Sequence, residues 1–135
     1  MFIGKSILFR LRSLALMPDG SLFLLRSGGD IGTAKGIFID KEYDNFAKPS
    51  TGEVVIDVGA HIGLYAIKAS KLVGKNGFIV AIEPDEENFK FLVWNLRINR
   101  VKNIIPVRCA LGDFSGFSKF YVSFQVGHGA PCVIR

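Results

Sequence analysis

The run Val54-Val55-Ile56-Asp57-Val58-Gly59-Ala60-His61-Ile62-Gly63, then a helical pattern, then Phe78-Ile79-Val80-Ala81-Ile82-Glu83-Pro84, decides the architecture of this 135-residue chain. Glu53 to Val58 is β-branched without polar alternation, which predicts a strand buried on both faces, as in a parallel sheet. Gly59 to Gly63 is a glycine-punctuated turn. From about Ile62 to Val73, the residues Ile62, Ala66, Ala69 and Val73 form one apolar stripe at helical spacing. Gly74-Lys75-Asn76-Gly77 ends that helix, and a second apolar strand runs into Glu83. Strand, crossover helix and strand make a βαβ unit, so the fold class is α/β with a partial parallel sheet and flanking helices.

Working outward, Asp85-Glu86-Glu87 opens a second helix with negative charge where the macrodipole favours it. Phe89, Leu92, Val93 and Leu96 are its expected apolar members, with Arg97 and Arg100 in its last turn. Ile104 to Ala110 is a third strand, weakened at its start by Pro106. Leu111-Gly112-Asp113 turns away from it, and Phe117 to Phe124 alternates as a further strand. Gly127-His128-Gly129-Ala130-Pro131 is read as a loop.

Upstream, Leu11 to Ser27 predicts a hairpin with Pro18-Asp19-Gly20 as its turn. Asp30 is placed to cap a helix over about Ile31 to Asp44, with Ile37, Phe38 and Tyr43 as apolar members and Gly32 and Gly36 weakening it. Pro49 and Gly52 mark a linker. The expected organisation is an N-terminal hairpin and helix extension over residues 1–52 and a ligand-binding unit over residues 53–135.

An apolar fraction of 49% with 12 Phe excludes disorder. No apolar run approaches the roughly 20 residues that span a bilayer, so no stable membrane insertion is expected. Lys5, Arg10 and Arg12 interrupt the apolar start, against a secretory signal and in favour of an amphipathic helix or strand packed on the domain. The net charge of +5 comes from scattered residues apart from Arg97, Arg100 and Lys102, which argues against nucleic-acid binding. Cys109 and Cys132 form neither a disulfide framework nor a metal-ligand spacing, so no metal is expected. Cys109 reads as a small buried hydrophobe, and a reducing cytoplasm is the expected compartment.

The turn carries the chemistry. Gly59 lets the backbone bend and approach a ligand, and Gly63 lets the helix pack closely while its first amides face the ligand. Glu83 ends the neighbouring strand, where a carboxylate can accept both hydroxyls of a ribose. Dinucleotides call for G-x-G-x-x-G, and position 61 here is histidine. Asp57 repels a pyrophosphate but suits a cationic adenosine ligand such as S-adenosylmethionine.

Asp57-Val58-Gly59-Ala60-His61-Ile62-Gly63, Ile82-Glu83-Pro84-Asp85, Asn88-Phe89, Leu92, Asn95 and Asn99 resemble the FkbM family of S-adenosylmethionine-dependent methyltransferases. Ala110-Leu111-Gly112-Asp113 is similar to the family's turn after the third strand. Leu25-Arg26 with Asp30, Ile37-Phe38 and Glu42-Tyr43 are similar to the segment that precedes its fold. The resemblance implies a Rossmann-like class I methyltransferase fold with S-adenosylmethionine as cofactor. It implies that Asp57, Gly59, Ala60, His61 and Gly63 line the methionine end, Glu83 holds the ribose, Pro84 shapes the loop beneath, and the turn near Ala110 lies along the adenine. The implied reaction is O-methylation of a hydroxyl on a sugar or secondary metabolite, with positioning as the main source of rate.

Two readings of His61 stand: a general base carried to the cleft, or a turn residue bonding to backbone. Asp30 and Glu42 reach the cleft if their helix folds over as a lid, and otherwise serve as a cap and a solvated charge. His128 reads as a loop residue. A methyltransferase sheet has seven strands and only three or four can be placed here, so the chain is expected to be a C-terminally truncated portion. An exposed strand edge then invites self-association. Two further readings remain, a non-catalytic or inactive fragment and an NAD-type dinucleotide-binding fragment.

Overall fold

The computed structural model of the chain describes residues 13–46, 48–118 and 130–134. Strands β1 (Ser13–Leu16) and β2 (Leu22–Leu25) form the expected hairpin, pairing antiparallel from Ser13 opposite Leu25 to Leu16 opposite Leu22. Gly20 supplies the turn's positive φ of 82°. Asp19 accepts from the Ser21 amide and hydroxyl, which fastens the turn from within. The opposite edge of β2 is satisfied by side chains. Asn99 accepts from the Leu22 amide through Oδ1 at 2.9 Å and donates through Nδ2 to the Leu22 carbonyl at 2.6 Å. Asn95 accepts from the Leu24 amide at 2.8 Å. Two asparagines thus stand where a neighbouring strand would, which answers the demand that buried main-chain groups find partners.

Helix α1 spans Gly28–Phe38, shorter at its C-terminal end than the sequence predicts. Its N-cap is Ser27, whose hydroxyl accepts from the Asp30 amide. Asp30 does not cap it: the residue lies inside the first turn and is buried on Arg26. After Phe38 the chain leaves the helix, the Glu42 amide donating to the Gly36 carbonyl, so Tyr43 belongs to a turn. Lys68 donates to the Ile37 carbonyl and pairs with Asp44, which pins this turn to the next helix.

The central unit follows the predicted order: β3 (Val54–Val58), α2 (Leu64–Val73), a short 3-10 turn at Gly74–Asn76, β4 (Phe78–Ile82), α3 (Glu86–Ile98) and β5 (Ile104–Val107). The strands pair in parallel in the order β3, β4, β5. Ile62, Ala66, Ala69 and Val73, the predicted stripe, are all fully buried and share one core with Ile79, Ala81 and Leu92. Asp85 caps α3, accepting from the Asn88 amide at 2.8 Å. The buried face of α3 is Phe91, Leu92, Asn95 and Leu96, not the expected set, and Phe89 and Val93 are only half-buried. The shift has a cause: the helix must turn Asn95 inward to meet β2. Pro106 is tolerated because β5 is an edge strand.

One expectation about the sheet fails. β3 is not buried on both faces, for Val54, Ile56 and Val58 are 56%, 63% and 56% exposed. With Phe78 and Ile105 they form a bare apolar face opposite the helices, and among the described residues nothing pairs with the outer edge of β3. The predicted third strand also divides. Its end leaves the sheet as β6 (Ala110–Leu111), which joins β7 (Gly116–Ser118) and β8 (Ala130–Ile134) in the order β6, β8, β7. Ala130 and Pro131, read as loop, are strand residues. Most of the strand expected at Phe117 to Phe124, His128, and the start of the chain to Arg12 lie outside the described residues. Cys109 is buried, as expected of a small hydrophobe.

Candidate functional site

The bend after β3 needs three left-handed residues in five: Gly59 at φ 81°, His61 at 53° and Gly63 at 87°. Its amides are already engaged. Gly59 and Ala60 both donate to the Ile82 carbonyl at 2.9 Å, and Gly63 donates to the Ala60 carbonyl at 2.8 Å. The His61 amide donates to Glu83 Oε2 at 2.8 Å. These four amides precede α2 (Leu64–Val73) and are closed by the protein itself. Three of them tie the bend to the end of β4, and the Gly63 amide closes the bend on itself.

The two glycines act differently. A Cβ on Gly59 would meet nothing within 4 Å, so this side of the bend is open to a ligand. A Cβ on Gly63 would come within 2.6 Å of Leu92 Cδ1. Gly63 is buried under α3 and serves packing, not the lining of a site.

Glu83 is 4% exposed and sits on the bend. Beyond the His61 amide at Oε2, its Oε1 accepts from the Asp85 amide at 2.9 Å and from Asn88 Nδ2 at 3.3 Å. One carboxylate thereby fastens the bend after β3, the end of β4 and the start of α3. The convergence of acid and glycine bend that the spacing predicts is present.

Beside them lies a cavity of about 140 Å³, walled by Asp57, Val58, Gly59, Ala60 and His61 from the bend and by Thr33, Ile37, Tyr43, Leu64 and Tyr65 from the helices and the turn after α1. That volume is below the range of whole drug-sized ligands and fits one end of a molecule. Asp57 accepts from the Ala66 amide, while its Oδ2 is buried with no hydrogen-bond partner. Burial first, then the nearby Glu83 charge, pushes the Asp57 carboxyl up to about 6. The Tyr43 and Tyr65 rings pack 5.0 Å apart on the far wall. Burial, then the Asp57 charge, raises the Tyr65 hydroxyl above its ordinary value. An orphaned acid oxygen in a cavity that two aromatic rings also line suits a cationic group.

His61 is held from the N-terminal extension. Arg26 Nη2 lies 2.9 Å from His61 Nε2. A guanidinium can only donate, so Nε2 holds the accepting lone pair and the ring proton is assigned to Nδ1. Burial, with Arg26 against the opposing pull of Asp30, lowers the ring's pKa. Asp30 Oδ1 lies 3.5 Å from the same nitrogen, so the His61 ring is held by the Arg26 and Asp30 side chains. Arg26 itself grips Asp30, with Nε to Oδ2 at 3.1 Å, Nη2 to Oδ1 at 3.2 Å and its own amide to Oδ2 at 2.7 Å. Burial raises the Asp30 carboxyl, and the Arg26 hydrogen bonds outweigh it and hold the group below the usual carboxylate range.

The remaining expectations separate. Pro84 is half-buried directly after Glu83, whereas Ala110 in β6 is not part of the cavity wall. Glu42 lies back against Gly36, and Asp30 is turned to Arg26, so neither forms a lid. Among the described residues no three His, Cys, Asp or Glu side chains gather as a metal site. Sequence reasoning missed Thr33, Tyr43 and Tyr65 as wall residues. Arg26 and Asp30 at i, i+4 before a glycine-rich turn were the available signal for the ion pair, though not for its contact with His61.

A strand-end acid on a glycine bend belongs to many folds of this class, and comparison decides among them. Residues 40–123 match the family model described as the TRM5/TYW2 methyltransferase domain. The chain belongs to the TRM5/TYW2 methyltransferase family. M. jannaschii TYW2, solved in complex with AdoMet, is 26% identical over 80% of this chain and 46% of that one, with a TM-score of 0.54. P. horikoshii TYW2, in complex with MeSAdo, is 25% identical over 80% of this chain and 39% of that one, with a TM-score of 0.57. Trm5b from Pyrococcus abyssi, at 20% identity over 72% of this chain and 28% of that one, has a TM-score of 0.52 and shares the fold. The chain spans less than half the length of each of these structures. No curated protein matches the sequence. The matching family is thus TRM5/TYW2 and not FkbM, and the fold is the Rossmann-like class I methyltransferase fold. Of the residues that carried the FkbM resemblance, Gly59 and Gly63 close the bend, Glu83 follows the strand, and Asn95 and Asn99 dock the hairpin. They report the fold and leave its branch open.

Proposed function

We propose that the chain is the S-adenosylmethionine-binding part of a methyltransferase, with residues 53–135 as the binding unit and residues 1–52 as an extension knitted to it. The observation that carries this reading is the Glu83 carboxylate held on the His61 amide beside a cavity with an unpartnered Asp57 oxygen. Glu83 holds the ribose hydroxyls, Asp57 faces the cationic methionyl end, and Gly59 leaves room for close approach. When bound, the cofactor supplies an electrophilic methyl on sulfur. The chain's own residues orient it and keep the pocket dry. The Arg26 contact at Nε2 favours a positioning role for His61 over that of a general base. The engaged amides of the bend weigh against the dinucleotide alternative, since a pyrophosphate finds few donors there.

Calorimetry with S-adenosylhomocysteine tests the reading. The wild-type chain binds it, Glu83→Ala weakens binding at least about tenfold, equivalent to about 1.4 kcal/mol, and NADH does not bind. A folded sample that binds no S-adenosylhomocysteine overturns it. The acceptor is assayed with tRNA, the substrate class to which the family match points, against sugar and secondary-metabolite hydroxyls, to which the FkbM-like motifs point.

A further inference from the structure

We propose that Arg26 is a positioning residue for this site: its guanidinium, locked on Asp30, holds His61 in the left-handed bend from which the His61 amide fixes Glu83. The inference rests on the proposed cofactor reading for its consequence in binding, and on geometry alone for the rest.

The chain of contacts runs from the N-terminal extension to the strand-end acid. Asp30 is 2% exposed, and three donors from Arg26 converge on it. A carboxylate so deeply buried costs several kcal/mol if its partner is lost, so the pair fixes where the guanidinium sits. The guanidinium lies 5.0 Å from the centre of the Phe91 ring on α3, which fixes its plane. From that seat Nη2 reaches both Asp30 Oδ1 and His61 Nε2. His61 needs such a hold. At φ 53° it is a non-glycine residue in the left-handed region, where an L side chain is strained. Its amide is the one that grips Glu83 Oε2. Were the bend to relax, that amide would swing away and the carboxylate would lose one of its three donors.

The geometry explains why an extension ahead of the βαβ unit is bound so firmly to it. The extension contributes Thr33, Ile37 and Tyr43 to the cavity wall, and its arginine also sets the turn on which the acid depends. The role also suits arginine alone. Lysine can pair with Asp30, but a point charge cannot fork to two acceptors from a fixed plane.

The test uses the full chain with Arg26→Lys and Arg26→Met. The charged groups facing the His61 ring are Arg26, Asp30, Glu83 and Asp85. In the wild type, the His61 ring carries its proton on Nδ1 by nitrogen NMR and titrates below an ordinary histidine. In Arg26→Met only carboxylates face the ring, so the titration midpoint rises, and the His61 amide exchanges at least about tenfold faster. An unchanged midpoint and amide in a folded variant overturns the proposal. Should Arg26→Met fail to fold, Arg26→Lys keeps the Asp30 pair and the nearby charge but not the fork to Nε2, so the His61 amide exchanges at least about tenfold faster, and an unchanged amide overturns the proposal.

Binding gives the second arm. His61→Gly adopts the bend without strain, so adding Arg26→Lys to it costs no further S-adenosylhomocysteine affinity, whereas Arg26→Lys alone loses about tenfold. Additive losses overturn the proposal, because Arg26 would then act elsewhere. If the wild type binds no S-adenosylhomocysteine, the cofactor reading falls, and the ring titration and amide exchange still decide the positioning role.

Discussion

Glu83 and His61 meet through a main-chain amide, 2.8 Å from nitrogen to Oε2, while the other oxygen of Glu83 holds the Asp85 amide. A carboxylate is needed because both of its oxygens accept. Glutamine keeps the shape but offers one accepting oxygen, so Glu83→Gln must place an amide group against either the bend or the start of α3. Two donors facing each other in a buried place cost about 1–3 kcal/mol. Glu83→Gln is expected to melt lower than wild type and to bind S-adenosylhomocysteine at least about tenfold more weakly. Thermal unfolding and calorimetry measure the two effects, and wild-type values in both would remove Glu83 from its role.

Gly59 and Gly63 have nearly the same φ and opposite surroundings, so alanine separates conformational strain from packing. Gly63→Ala combines left-handed strain with a Cβ 2.6 Å from Leu92 Cδ1, and a loss of about 2–4 kcal/mol is expected. Gly59→Ala carries only the strain, about 1–2 kcal/mol, since its Cβ enters open space. That same Cβ stands on the side open to a ligand, so Gly59→Ala loses affinity out of proportion to its stability. Denaturant melts of both variants, with ligand titrations of the Gly59 variant, check the contrast. Equal destabilisation would contradict it.

Asp57 makes stability and binding depend on pH in opposite senses. Its carboxyl is raised to about 6 in the folded chain from 3.8. Below the lower value it is neutral in both states, and its contribution to stability is fully present. As pH rises through about 6 the folded state must ionise a buried acid, and that contribution is lost. Asp57→Asn, which keeps an acceptor for the Ala66 amide, should therefore melt above wild type at neutral pH, with the gap closing toward acid. A cationic ligand wants the ionised form, so wild-type affinity falls by up to about tenfold per pH unit below 6, and the Asn variant is weaker and flat. Melts and titrations across this range measure both, and parallel curves for the two proteins would refute the assignment.

How far the sequence carried the fold can be judged at particular residues. The stripe Ile62, Ala66, Ala69, Val73 and the acid at 83 were legible because period and punctuation are local properties. β3 looked doubly buried because β-branched residues report strand propensity, while burial depends on what covers the strand. Asp30 looked like a cap because a short acid before a helix usually is one. Only the fold brings Arg26 beside it. The same limit hid Tyr43, whose turn is set by the distant Lys68, and the engagement of the Gly59 and Ala60 amides by Ile82. Long-range partners made these outcomes, and single-sequence patterns do not contain them.

The bare face of the sheet predicts behaviour in solution. Val54, Ile56 and Val58 face away from the helices beside a strand edge that is unpaired among the described residues, an arrangement that promotes association of like chains. Ile56→Lys places a charge there without touching the core, so stability should stay within about 0.5 kcal/mol of wild type. Analytical ultracentrifugation of the wild-type chain should show concentration-dependent association that the variant reduces. A wild-type chain that stays monomeric at high concentration would leave this face without that role.

Asn95 gives the strictest test of how the hairpin is attached. It is fully buried, accepts from the Leu24 amide at 2.8 Å and donates from Nδ2 to the Ile62 carbonyl at 2.9 Å. One side-chain amide thus joins β2, α3 and the bend that leads to Gly63. Asn95→Ala strips partners from a buried donor and a buried acceptor at once, and each costs about 1–3 kcal/mol. Asn95→Asp keeps the acceptor for Leu24 and sets an oxygen against the Ile62 carbonyl, so it should protonate or destabilise, and its deficit should shrink toward acid pH. Leu24 reports on one bond and Ile62 on the other. Hydrogen exchange at the Leu24 amide should therefore accelerate in Asn95→Ala, and in Asn95→Asp at low pH stay slow. Fast exchange in both would show that the Asn95 bond does not protect this edge of the hairpin.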